Sequence, residues 1–212
     1  MIGILRNVQI IPVIEIESLD AAVPATEALK QGGLSVIEIT LRTDTALAAL
    51  QKIATSMPDV IVGAGTVTTI NQAKQAVDSG AKFLVSPGFS SEIVRYCTDH
   101  HISILPGIVT PTELMMGLEF GLQVYKFFPA ETMGGVKTLR SLSGPFPQIK
   151  FVPTGGINLS NMNTFLHEKY VLAVGGSWMA TKAMIATKDW SQITQTTLKS
   201  IQISQNTSPP QV

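Results

Sequence analysis

The chain has 212 residues, fifteen basic and fifteen acidic side chains that cancel, 45% apolar residues and a mean hydropathy of +0.28. Its 14% charged residues fall well below the roughly 25% of average soluble domains, which excludes a disordered polyelectrolyte, and no Lys/Arg run offers the basic face a nucleic acid needs. The single cysteine, Cys97, excludes an internal disulfide and a cysteine-based zinc site, and no apolar run approaches the ~18 residues of a membrane span, so a cytoplasmic globular protein is expected.

Along the chain, short runs rich in Val, Ile and Phe end at Gly, Pro, Ser or Thr, and each is followed by a stretch of helical character. Strands are expected over 9–14, 36–40, 60–62, 82–86, 102–105, 123–128, 149–152 and 170–174. Helices are expected over 19–31, 44–56, 70–79, 90–101, 112–120, 136–142, 161–168, 179–185 and 190–203. This alternation indicates βαβ units with parallel pairing. Eight units at a spacing of about 23 residues predict an α/β fold of the (β/α)8 TIM-barrel type: one domain over residues 1–203, a closed parallel sheet and outer helices. Residues 204–212, SQNTSPPQV, read as a polar, frayed tail. The competing open doubly wound sheet wants a Gly-rich turn after its first strand, and IPVIEIE at 11–17 has none. Asp44 and Asn161 are plausible N-caps.

In a barrel, polar residues inside apolar strands are informative, because alternate side chains face the interior and function gathers at the strands' C-terminal ends. Glu38 sits in VIEIT, on one face with Val36, Thr40 and, further on, Arg42. Its plain reading is a structural ion pair with Arg42; its functional reading is an acid/base. Lys126 sits in QVYKFFP, on one face with Val124 and Phe128. An interior lysine flanked by aromatics is costly to keep as an ammonium, and a neutral amine attacks carbonyls. Its plain reading is a lysine whose head snorkels to solvent.

Thr154-Gly155-Gly156 follows the seventh strand and Gly175-Gly176-Ser177 the eighth. Both are small turns that let an anion approach the backbone, at the two loops where (β/α)8 enzymes commonly hold phosphate. Gly63-Ala64-Gly65-Thr66 begins like a dinucleotide fingerprint but has Thr68 where a third glycine belongs; Thr66 can still aim a hydroxyl into a site. His100, His101 and His167 fall at helix ends with no ligand spacing, and Cys97, Met115 and Met116 read as core.

The blocks EITLRT at 38–43, GAGTV at 63–67, SPG at 86–88, KFFPAE at 126–131, PTGGI at 153–157 and GGSW at 175–178 together resemble the 2-keto-3-deoxy-6-phosphogluconate / 4-hydroxy-2-oxoglutarate aldolase family, in order and across nearly the whole chain. The resemblance implies a class I aldolase, without metal or cofactor and usually a homotrimer, that makes pyruvate from a phosphorylated keto acid. It implies Lys126 as the Schiff-base lysine and Glu38 as the general acid/base. Arg42 and Thr66 match the groups that hold the pyruvate carboxylate, and Pro87 and Phe128 match residues lining the site. Gly155, Gly156, Gly176 and Ser177, with Thr154 nearby, match the phosphate loops. Glu15 departs from the apolar residue expected on the first strand and leaves the substrate's distal end open. Other readings of the same pocket are an aldolase for another 2-keto-3-deoxy sugar acid, a phosphate-binding isomerase or synthase, and a non-catalytic anion sensor.

Overall fold

The structure, a computed structural model, describes residues 1, 3–5 and 8–205. The strands are β1 (Ile10–Ile14), β2 (Val36–Thr40), β3 (Ile61–Gly65), β4 (Phe83–Val85), β5 (Ser103–Leu105), β6 (Gly107–Ile108), β7 (Val124–Phe127), β8 (Lys150–Pro153) and β9 (Val174–Gly176). The helices are α1 (Ala22–Gln31), α2 (Ala46–Ser56), α3 (Ile70–Asp78), α4 (Ser91–Asp99), α5 (Pro111–Leu118), α6 (Gly135–Ser143), α7 (Met162–Leu166), α8 (Lys182–Ala186) and α9 (Trp190–Gln205). The last helix runs past residue 203 to Gln205, and residues 206–212 of the expected tail lie outside the described residues. Among the described residues no helix is long and apolar enough to cross a membrane.

The expected closed eight-stranded barrel is not what the chain forms. Its strands make two parallel sheets: a curled six-stranded sheet in the order β5-β4-β3-β2-β1-β9, and a three-stranded sheet β6-β7-β8. Pro106 is the physical reason at one seam. It has no N–H to continue a ladder and separates β5, the expected fifth strand, in the large sheet from the short unexpected β6 in the small one. Only its carbonyl bridges the gap, accepting from Lys126 N at 2.9 Å. At the other seam β8 and β9 share no ladder, and isolated bridges, Phe151 with Val171 and Thr154 with Gly175, stand in its place.

Two apolar layers follow from the period-two alternation of the strands. Ile11, Val36, Phe83, Val85, Leu105, Val124 and Val152 meet inside, between the sheets, while Ile10, Ile14, Ile37, Ile39, Leu84, Tyr125, Phe127 and Phe151 pack outward against the helices. Lys126 therefore shares the inward face with Val124, as its spacing predicts.

Two strands sit later than expected because their glycines are strand residues, not turn residues. On β3 the inward positions are Gly63 and Gly65. A Cβ on Gly63 would lie 2.4 Å from the Phe83 ring, and one on Gly65 would collide with the Glu38 carboxylate. On β9, Gly175 and Gly176 pair with Ile11 and Pro12 of β1, the former yielding its side-chain space to Thr154 Oγ1 and the latter to the Trp178 ring. Capping boxes at Thr69/Gln72 and Thr110/Glu113 start α3 and α5. Asp44 is not a cap: Thr45 holds that position, and its hydroxyl donates to Ile16 O at 2.6 Å instead.

Gly63→Ala overpacks the Phe83 ring at the floor of the interior, and is expected to lower unfolding stability by roughly 1–3 kcal/mol. Urea unfolding checks this, and an unchanged midpoint would show that the ring can retreat.

Candidate active site

Glu38 stands in the middle of β2, where all five residues are buried, and Lys126 in the middle of β7, where all four are. They are 3% and 5% exposed. They belong to different sheets and face each other across the interior, Lys126 Nζ 3.5 Å from Glu38 Oε1. Among the described residues the Glu38–Arg42 ion pair of the plain reading does not form, and the Lys126 side chain does not reach solvent. Two charges this deep survive only as a pair, since burial of either alone costs several kcal/mol. The pairing is nonetheless incomplete, because Glu38 Oε1 accepts no hydrogen bond from the described residues. A buried acceptor left open at the inner end of a pocket is available to a water or a substrate hydroxyl. The Phe128 ring lies 5.1 Å from Lys126 Nζ and covers the ammonium from the mouth side.

The chain keeps room for this pair. Gly65 leaves the space the Glu38 carboxylate occupies, and Gly107, in register with Lys126, accepts the close approach of the Pro87 carbonyl. Pro87 therefore stands beside the strand that neighbours Lys126. Ser86 fixes that turn by donating to Gly88 O at 2.7 Å.

Arg42 is exposed at the rim, two steps beyond Thr40 on the same face, and its Nε donates to Thr66 Oγ1 at 3.2 Å. Thr66 holds φ at 60°, uncommon for a β-branched residue. Flanking ladder bonds maintain it, Leu41 N to Gly65 O at 2.8 Å and Val67 N to Val85 O at 3.0 Å. Strain of this kind, worth about 1–3 kcal/mol, is characteristic of sites whose side chains must point in one direction.

Above the buried pair opens a cavity of about 300 Å³. It is lined by Thr40, Arg42, Phe128, Thr154, Gly155, Gly156, Gly176 and Ser177, and also by Val13, Glu15, Thr181 and Lys182. Gly155 and Gly156 have φ of 98° and 76°, open to glycine and strained for other residues. The KFFPAE segment holds their loop from behind: Ala130 N donates to Thr154 O at 2.8 Å and Glu131 N to Gly155 O at 3.1 Å. Asn161 holds the expected N-cap position of α7, but its side chain makes no cap bond and its Nδ2 donates to Gly156 O at 3.0 Å instead, anchoring the loop. On the other loop, Trp178 Nε1 donates to Ser200 Oγ at 2.9 Å and pins the segment after Ser177 to α9. Of the expected residues, Arg42, Phe128, Thr154, Gly155, Gly156, Gly176 and Ser177 line this cavity. Glu38 and Lys126 lie deeper, and Thr66 and Pro87 flank them without lining it. The three histidines are exposed, and none lines it.

A family model for KDPG and KHG aldolases matches residues 1–196. The chain belongs to that family. It is 45% identical to the 2-dehydro-3-deoxy-phosphogluconate aldolase of Treponema pallidum over 94% of this chain and 95% of the relative. It is 43% identical to the KHG/KDPG aldolase of Escherichia coli K12, over 91% of each. The KDPG aldolase of Legionella pneumophila, solved with pyruvate captured as a covalent carbinolamine intermediate, superposes with a TM-score of 0.90 at 42% identity, over 92% of this chain and 95% of that one.

Within this family's chain, Thr40, Thr181 and Lys182 are cavity residues that sequence reasoning passed over. Thr40 was legible from its place two residues beyond Glu38 on one face. Lys182 carried no such signal, since it lies beyond the last strand, on the first turn of α8. Glu15, whose direction the sequence left open, points inward with Ile11 and Val13 and forms an ion pair with Lys182. That contact, with Glu17 3.4 Å away, holds the Lys182 ammonium above its ordinary range.

Lys126→Met leaves the Glu38 carboxylate buried without its cation and is expected to cost roughly 3–5 kcal/mol of stability, while Lys126→Met with Glu38→Met recovers most of it. Guanidinium unfolding of the two variants checks this. Equal loss in both would mean that the carboxylate does not depend on the amine.

Proposed function

We propose that this chain is a class I aldolase that cleaves 2-keto-3-deoxy-6-phosphogluconate to pyruvate and glyceraldehyde 3-phosphate through an imine on Lys126, with 4-hydroxy-2-oxoglutarate as a second substrate. The observation that carries the reading is the sequestered amine 3.5 Å from a carboxylate oxygen that has no hydrogen-bond partner among the described residues.

Lys126 must give up a proton to attack, and Glu38 Oε1 stands where it can take it. The amine adds to the C2 ketone of the substrate, Glu38 returns the proton to the hydroxyl of that adduct, and loss of water leaves a protonated imine with the carboxylate free again. That cation draws the electron pair of the C3–C4 bond as it breaks, while Glu38, directly or through one water, removes the proton of the 4-hydroxyl. The aldehyde leaves. C3 of the remaining enamine takes back a proton with help from Glu38, and water releases pyruvate and the amine. General acid–base assistance of this kind is worth roughly 10²–10⁴-fold.

Arg42, oriented by Thr66, suits the substrate carboxylate, for which a planar guanidinium is the better partner. Thr154, Gly155, Gly156, Gly176 and Ser177 receive the distal phosphate, so binding energy far from the reacting bond fixes its alignment. Phe128 and Pro87 shield the imine. An isomerase or synthase on the same scaffold has use for the glycine loops but none for the buried amine. A homotrimer is the assembly the family resemblance supports.

Borohydride added with pyruvate is expected to inactivate the enzyme and to place one reduced pyruvate adduct on Lys126, read by peptide mass spectrometry. Lys126→Ala is expected to lose turnover and labelling together. Labelling at another lysine would reassign the nucleophile, and near-wild-type turnover of Lys126→Ala would remove the imine.

A further inference from the structure

One pair in the cavity has no part in the chemistry above. Glu15 directly follows β1 and stands in the cavity wall beside the glycine loops. A carboxylate there repels an incoming phosphate dianion. Its side chain is 16% exposed, so it is held by the wall. The side chain of Lys182 is 60% exposed and carries its ammonium on a flexible stem from the rim, in contact with Glu15 and 3.4 Å from Glu17. One member of the pair is fixed and the other can turn.

Building on the aldolase reading, we propose that the Lys182–Glu15 pair is the specificity element for the distal end of the substrate: Lys182 shares its charge between Glu15 and the substrate phosphate, and Glu15 sets the position of that ammonium. With Lys182 in place the cavity accepts a phosphorylated acid. Without it, Glu15 is exposed to the phosphate as a bare like charge, and discrimination turns toward unphosphorylated acids. The carboxylate thus contributes selectivity through the lysine it holds.

The test compares kcat/KM for 2-keto-3-deoxy-6-phosphogluconate and its unphosphorylated counterpart in the wild type, Lys182→Met, Lys182→Arg, Glu15→Gln and the Glu15→Gln/Lys182→Met double variant. Lys182→Met is expected to lose roughly 10–100-fold on the phosphorylated acid, through KM, and several-fold less on the other. Lys182→Arg restores the preference, and the double variant recovers part of the loss because the repelling carboxylate is gone. Equal losses on both acids for Lys182→Met, or a double variant no better than Lys182→Met, overturn the proposal while pyruvate trapping on Lys126 leaves the aldolase reading standing. A wild type that releases pyruvate from neither acid removes the aldolase reading, and this proposal with it.

Discussion

The arrangement depends on a carboxylate and an ammonium held together where neither would be stable alone. Glu38 and Lys126 project from two separate sheets into an interior whose lower layer is Val36, Phe83, Val124 and Val152. Desolvation disfavours both charges, and their mutual contact at 3.5 Å restores only part of what water supplied. The residue of that imbalance is useful. The proposed reaction draws on that closeness, because it needs a proton acceptor beside the amine. An isolated buried lysine would lack the acceptor.

Holding such a pair requires empty space in defined places, and glycine supplies it. The inward face of β3 reads Ile61, Gly63, Gly65: the first glycine admits the Phe83 ring that floors the site, the second admits the carboxylate. Gly107 admits the Pro87 carbonyl beside Lys126, and Gly175 admits Thr154. The cavity wall is bared by other glycines, Gly155, Gly156 and Gly176, on the loops to which the proposed phosphate is assigned.

Much of this was legible from the chain alone, for a stated physical reason. A charged residue in the middle of an apolar strand must face something that justifies it, and the period-two pattern says which neighbours share its face. That logic singled out Glu38 and Lys126, whose side chains meet in the interior. It did not show that Glu38 pairs with Lys126 in preference to Arg42, because the partner comes from another sheet, eighty-eight positions along the chain, and period-two reasoning sees one strand at a time. It misplaced β3 and β9 because glycine reads as punctuation when the ring or hydroxyl that fills its side-chain space is unknown. It predicted a closed barrel because eight strand-helix units count the same whether or not Pro106 interrupts a ladder. The roles of Arg42, Thr66 and the glycine loops came from family resemblance, and the geometry here gives them their positions.

Glu15 and Glu38 show how depth along a strand decides what a carboxylate is for. Val13 is in register with Glu38, so Glu15 lies one inward step further out than the buried acid. At Glu38's level the register neighbours are Val13 and Gly63, the acid is buried, and the cation it meets is a lysine anchored on a strand. One step outward the wall opens, and the cation there is a lysine from the rim with most of its side chain in solvent. The proposed reaction gives the inner acid a proton to move, and the proposed selection lets the outer one act through the cation it holds. Two chemically identical groups, one inside a strand and one just past the end of its neighbour, are thus suited to different tasks because the interior they share grades from buried to open over the length of one side chain.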